Sequence, residues 1–121
     1  QPEVEQGLYP ALPDAPGHAI WKRDFAGACG LFAVQLRPMA EQAVTAMLDG
    51  MNLFGMGFSW GGFESLILLT NPGKDRTAKP WQGRGPLLRL HIGLENPEDL
   101  IADLEAGFER MRRELGAVCA K

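Results

Sequence analysis

Cysteine is scarce in this chain: Cys29 and Cys119 stand far apart, with no histidine at ligand spacing beside either. That argues against a disulfide framework and against zinc; a single bridge stays open, with two reduced thiols as the expectation. Basic charge is not in excess either. Twelve Lys and Arg face fifteen Asp and Glu, leaving a formal net charge of −3, and the basic residues are scattered rather than gathered on one stripe. Nucleic acid is therefore not an expected partner. No apolar run approaches the ~18 residues of a membrane-spanning helix. No charged-then-apolar leader opens the sequence, so a cytoplasmic protein is the expectation. Repeats and low-complexity segments are missing as well.

What is present suits one small globular domain: 121 residues, 45% of them hydrophobic and 22% charged, enough to close a core. The chain begins with Gln1 rather than methionine, which fits a fragment, though a mature form or loss of the methionine would also fit. Residues 1–17 contain Pro2, Pro10, Pro13 and Pro16 and little periodicity, so they read as a lead-in that lies across a surface rather than in the core. The domain proper is expected over residues 18–121.

Leu31 to Leu36 is a short apolar run suited to a strand buried on both faces, stopped by Pro38. From Ala40 to Met51, apolar residues at 40, 44, 47, 48 and 51 follow helical spacing. The glycine- and aromatic-rich stretch from Asn52 to Gly62 argues for a short strand and a tight turn. A second strand is expected over Glu64 to Leu69, then a loop from Lys74 to Pro86. Leu87 to Ile92 gives a third strand, with Arg89 and His91 on one face and Leu88, Leu90 and Ile92 on the other. Asn96 caps a last helix, Pro97 suits its first position, and Glu98 and Asp99 complement its dipole. Apolar residues at 100, 101, 104, 108, 111, 115 and 118 hold one face of that helix. The expectation is an α+β domain with a small, largely antiparallel sheet covered by helices on one face.

Two segments carry the chemistry. Phe58-Ser59-Trp60-Gly61-Gly62-Phe63-Glu64-Ser65-Leu66 contains a Ser-aromatic-Gly-Gly turn whose backbone N–H groups an anion can approach closely. Leu88-Arg89-Leu90-His91-Ile92-Gly93-Leu94-Glu95 places a guanidinium on a strand, where its planar fork suits a carboxylate. From the residues alone, Arg89 could equally be a rim arginine paired with Glu64 or Glu95. Ser59 and Trp60 could equally form a plain turn with a packed aromatic. His91, beside a buried strand, reads as a hydrogen-bonded structural residue, and Cys29 as a buried small hydrophobe.

Together with His18-Ala19-Ile20-Trp21-Lys22-Arg23-Asp24-Phe25 and Gly30-Leu31-Phe32, those segments resemble the Cys/Met-metabolism family of pyridoxal-phosphate enzymes. The likeness is to the C-terminal small domain of its bacterial cystathionine β-lyases, of fold type I, and it runs over nearly the whole chain. The resemblance implies that Arg89 binds the α-carboxylate of an amino-acid substrate and that Ser59 and the backbone at Trp60 line the same side of the pocket. Trp60 favours the β-lyases over the γ-enzymes, which usually carry leucine there. Trp21, Lys22, Arg23 and Asp24 would order the domain near the pocket.

The resemblance also implies what lies elsewhere. The lysines are Lys22, Lys74, Lys79 and Lys121, and none sits in a segment resembling the one that holds pyridoxal phosphate. Cofactor and catalytic lysine are then expected in a larger preceding domain, so this chain alone should bind no cofactor and hold no catalytic residue. The full-length protein is expected to be a homo-oligomer, a tetramer by family habit. It would cleave cystathionine to homocysteine, pyruvate and ammonia. The rivals are a γ-lyase, a γ-synthase, a cysteine-S-conjugate β-lyase, or a freestanding small-ligand or interaction domain.

Overall fold

The computed structural model describes residues 1–58 and 61–119, with side chains through residue 117. Within them the chain runs β1 (Val4–Leu8), α1 (His18–Asp24), β2 (Leu31–Leu36), α2 (Glu41–Leu48), β3 (Gly55–Met56), β4 (Leu66–Thr70), β5 (Leu87–His91) and α3 (Pro97–Cys119). The described strands form one sheet in the order β1-β2-β5-β4-β3. β1 with β2, β2 with β5 and β5 with β4 are antiparallel, while β3 runs parallel to β4. This is the open, largely antiparallel α+β sheet that the sequence predicts.

Strand alternation divides the sheet into two faces. Across β2, β5 and β4 the register sets Phe32, Leu90 and Ile67 in one row and Ala33, Arg89 and Leu68 in the next. The first row belongs to the core. Leu36, Ile67, Leu88 and Leu90 pack there with Ala43, Val44, Met47 and Leu48 of α2 and with Leu100, Phe108 and Met111 of α3. Each of these is less than 9% exposed, and fully burying a side chain of this size contributes about 1.5–3 kcal/mol. The helices also touch each other. Gly107 of α3 lets them approach, because a Cβ there would lie 3.0 Å from Met51 Sδ and 3.1 Å from Met47 Cγ.

A buried acid and a base on α3 fix the exit of α2. The Asp103 carboxylate accepts hydrogen bonds from the backbone N–H groups of Asn52 (3.0 Å), Leu53 (2.8 Å) and Phe54 (3.4 Å). Arg110 donates to the carbonyls of Ala46 (3.3 Å) and Met47 (3.1 Å), which the end of α2 leaves without helical partners. Burial pushes the Asp103 carboxyl up, but those N–H groups and the Arg110 charge outweigh it and hold the acid below its usual range.

Several expectations shift. Residues 1–17 read as a lead-in across a surface, yet Val4–Leu8 pairs with β2 as the sheet's edge, and Val4 packs against the core. Pairing with a strand from farther along the chain supplies what local periodicity did not. β2 is not buried on both faces: Leu31 to Val34 are only half-buried, and on the core side Phe32 and Val34 line an open groove with Tyr9, Leu12 and Ile92. α2 is shorter than Ala40 to Met51, ending at Leu48. At α3 the cap is as read, with Asn96 Oδ1 accepting from the Glu98 N–H at 2.9 Å. No helix among the described residues is long and apolar enough to cross a membrane.

Candidate functional site

The second face of β5 carries Arg89 and His91. β5 is the middle strand of five, so both side chains stand on the most constrained backbone in the sheet. Leu68 and Ala33 flank Arg89 on the neighbouring strands, and Leu66 and Leu31 flank His91. Arg89 is half-buried. The exposed ring of Phe58 lies over its guanidinium, with Cζ 5.3 Å from the ring centroid, a cation–π arrangement that keeps the planar fork oriented.

Gly62 lies beside the same strand. Gly62 meets His91, whose Nε2 lies 3.1 Å from the Gly62 N and 3.2 Å from the Gly62 carbonyl oxygen. In one tautomer the ring accepts the Gly62 N–H; in the other it donates to the carbonyl. His91 is 6% exposed, and its Nδ1 has no partner among the described residues. The expectation of a hydrogen-bonded structural histidine matches this geometry. Phe58 and Gly62, which flank the Ser-Trp-Gly segment in sequence, are thus engaged by Arg89 and His91. Ser59 and Trp60 themselves lie outside the described residues.

Behind the turn, residues 61–65 are fastened to the chain leaving β5. The Leu94 N–H donates to the Phe63 carbonyl at 2.9 Å. Ser65 donates twice to Glu95, from its N–H to Oε1 and from its hydroxyl to Oε2, both at 2.7 Å. The Ser65 Oγ in turn accepts the Gly93 N–H at 2.9 Å. Glu95, weighed as an ion-pair partner for Arg89, is engaged by Ser65, whose backbone N–H and hydroxyl hold its carboxyl below the ordinary range. Gly93 has to be glycine for contact reasons, since a Cβ there would fall 2.2 Å from the Phe63 oxygen. Ser65 escaped the sequence reading because its partners become neighbours only once β4 and β5 are in register; Leu66 stands opposite His91.

The remaining candidates fall elsewhere. Trp21 lines an apolar groove with Tyr9, Phe25 and Leu31, and Phe25 and Ile20 beside it are 64% and 58% exposed. Arg23 donates to its neighbour Asp24 on the exposed side of α1. Cys29 is not the buried small hydrophobe expected: it is exposed, a free thiol whose Sγ lies 3.8 Å from the Leu31 carbonyl. Its small size marked fit to a loop rather than burial. The described lysines, Lys22, Lys74 and Lys79, are all exposed. Among the described residues no group of three or more His, Cys, Asp or Glu could hold a metal ion.

Known proteins resemble this chain over most of its length. The chain is 50% identical over 111 residues to a cystathionine β-lyase of Bordetella avium, covering 91% of this chain and 28% of that protein. It is 48% identical over 114 residues to a cystathionine β-lyase of Salmonella typhimurium, covering 91% and 29%. A crystal structure of cystathionine γ-synthase from Xanthomonas oryzae pv. oryzae in complex with cystathionine superposes with a TM-score of 0.76 at 36% identity, over 93% of this chain and 30% of that one. The chain therefore spans under a third of the length of these relatives. Residues 1–109 match the description "Cys/Met metabolism PLP-dependent enzyme", and on that match the chain belongs to this family.

Proposed function

We propose that this chain is the substrate-carboxylate-binding domain of a pyridoxal-phosphate-dependent carbon–sulfur β-lyase acting on cystathionine. Arg89 carries the reading: a half-buried arginine on the middle strand, held by Phe58 beside an anion-suited turn, in a chain of this family. Its guanidinium grips the α-carboxylate in a bidentate fork, and Ser59 and the backbone at Trp60 complete the grip. Fixing the carboxylate fixes the direction of the Cα–H bond, and orientation of that kind is worth several powers of ten in rate.

The residues described here do not fit a site for the cofactor. A lysine that condenses with an aldehyde works from a desolvated pocket that lowers its pKa, and Lys22, Lys74 and Lys79 are exposed. Pyridoxal phosphate, whose ring withdraws electrons from the substrate's α-carbon, is held in this reading by a larger preceding domain. That domain, and further copies in a tetramer, are the proposed partners; the apolar groove around Trp21, Phe25 and Ile20 supports such a contact. Identities of 48–50% to cystathionine β-lyases, together with Trp60, favour β-elimination. The likeness to a γ-synthase keeps a γ-reaction as the second reading. Assaying the full-length protein on cystathionine separates them: pyruvate is expected, and 2-oxobutyrate in its place refutes the β-assignment.

A further inference from the structure

We infer that Ser65 and Glu95 are positioning residues for the carboxylate pocket: by clamping residues 61–65 to residues 93–95 they fix where the backbone at Gly62 stands beside the strand that carries Arg89. The inference rests on the carboxylate reading of Arg89 and names the residues that act through it. A turn and a strand side chain can share one small anion only if their spacing is held to a fraction of an ångström, because hydrogen bonds weaken steeply with distance and angle.

Residues 62–65 have three fastenings, and two pass through this pair or beside it. Gly62 meets His91 at 3.1 Å, the Leu94 N–H reaches the Phe63 carbonyl at 2.9 Å, and Ser65 takes both carboxylate oxygens of Glu95 at 2.7 Å. The Ser65 side chain is fully buried and sits at the junction. Its hydroxyl donates to Glu95 and accepts from Gly93, its N–H donates to Glu95, and its carbonyl accepts from the Gly55 N–H of β3 at 3.0 Å. Every polar atom of one residue thus ties the turn to β5's exit or to β3. At Gly93 the two backbones come so close that a Cβ would fall 2.2 Å from the Phe63 oxygen and 2.7 Å from Glu95 Oε2.

A clamp that serves the pocket differs from one that only stabilises the fold in what it does to ligands. The test uses the full-length, cofactor-loaded enzyme and two probes as inhibitors, S-ethyl-L-cysteine and 2-(ethylthio)ethylamine, which differ only in the carboxylate. Ser65→Ala is expected to weaken the amino acid about tenfold while changing the amine less than about twofold, through loss of two hydrogen bonds to a charged group or a tightly packed amide. In an Arg89→Ala background the same substitution should add less than about twofold, since the grip it positions is gone. Equal weakening of both probes, or full additivity with Arg89→Ala, overturns the positioning role and leaves the carboxylate reading intact. No weakening of S-ethyl-L-cysteine by Arg89→Ala alone overturns the carboxylate reading and the clamp's role with it. If Ser65→Ala does not fold, Glu95→Gln, which keeps the volume and loses the charge, is judged by the same two comparisons.

Discussion

One strand shows two ways of building. On one face of β5, Leu88 and Leu90 are 1% and 3% exposed and disappear into a core closed by α2 and α3. On the other face, Arg89 and His91 meet a glycine-rich turn through a ring face and a few polar contacts. The first face is held by non-directional burial and tolerates approximate shapes. The second depends on directed contacts, where a displaced atom loses the interaction. The strand thus anchors in a layer insensitive to small shifts and presents its chemistry in a layer that is sensitive to them.

Substitutions on the two faces should therefore fail differently. The largest effect is expected from Arg89→Ala in the full-length enzyme, where two hydrogen bonds to a carboxylate at ~1.5–3 kcal/mol each amount to a KM raised about a hundredfold or more. The thermal midpoint should hardly move, and an unchanged KM sinks the assignment. Next comes Leu90→Ala on the opposite face, with a loss of roughly 2–5 kcal/mol of stability by denaturant titration. Its KM, measured where the protein is still folded, should stay near the wild-type value. If Leu90→Ala altered KM as strongly as Arg89→Ala, the two faces would not be separable.

Asp103→Asn follows, at about 2 kcal/mol, from charge-assisted bonds to three backbone N–H groups. The sign of its pH dependence is fixed by a carboxyl lowered in the folded state. Its contribution is complete above the unfolded value of 3.8 and fades as pH falls through the lower folded value. Wild type and Asp103→Asn should therefore differ most near neutrality and converge in acid; a gap that widens below pH ~4 contradicts this role of Asp103. The smallest effect is Phe58→Leu, which removes the ring over Arg89 and should raise KM only about two- to fivefold, matching a cation–π contact of ~0.5–1 kcal/mol at an exposed site.

Legibility followed the same division. β2 was readable to the residue from its apolar run, and α3 from Asn96 and Pro97, because burial and capping leave local marks. The alternation in Leu88-Arg89-Leu90-His91 foretold which side chains share a face. β1 left no such mark: Val4-Glu5-Gln6-Gly7-Leu8 has no alternation to speak of and becomes a strand only through β2. α1 buries no residue and starts at Gly17 without a side-chain cap, so neither periodicity nor a capping signal announced it. Within the candidate site, Arg89 stands out by residue type and family likeness alone. Ser65, Glu95 and Gly93 could not, since their contacts exist only between segments that pairing of β4 with β5 brings together.

β3 is two residues long, Gly55 and Met56, and within the sheet it touches only β4, whereas β5 is paired on both sides along its length. Amide protons on β5 should exchange with deuterated solvent only when the whole domain opens, while those of β3 should exchange through local fraying. The sheet then keeps two clocks: the strand that carries Arg89 and His91 stays formed for as long as the domain is folded, and the two-residue edge can open and close without disturbing it.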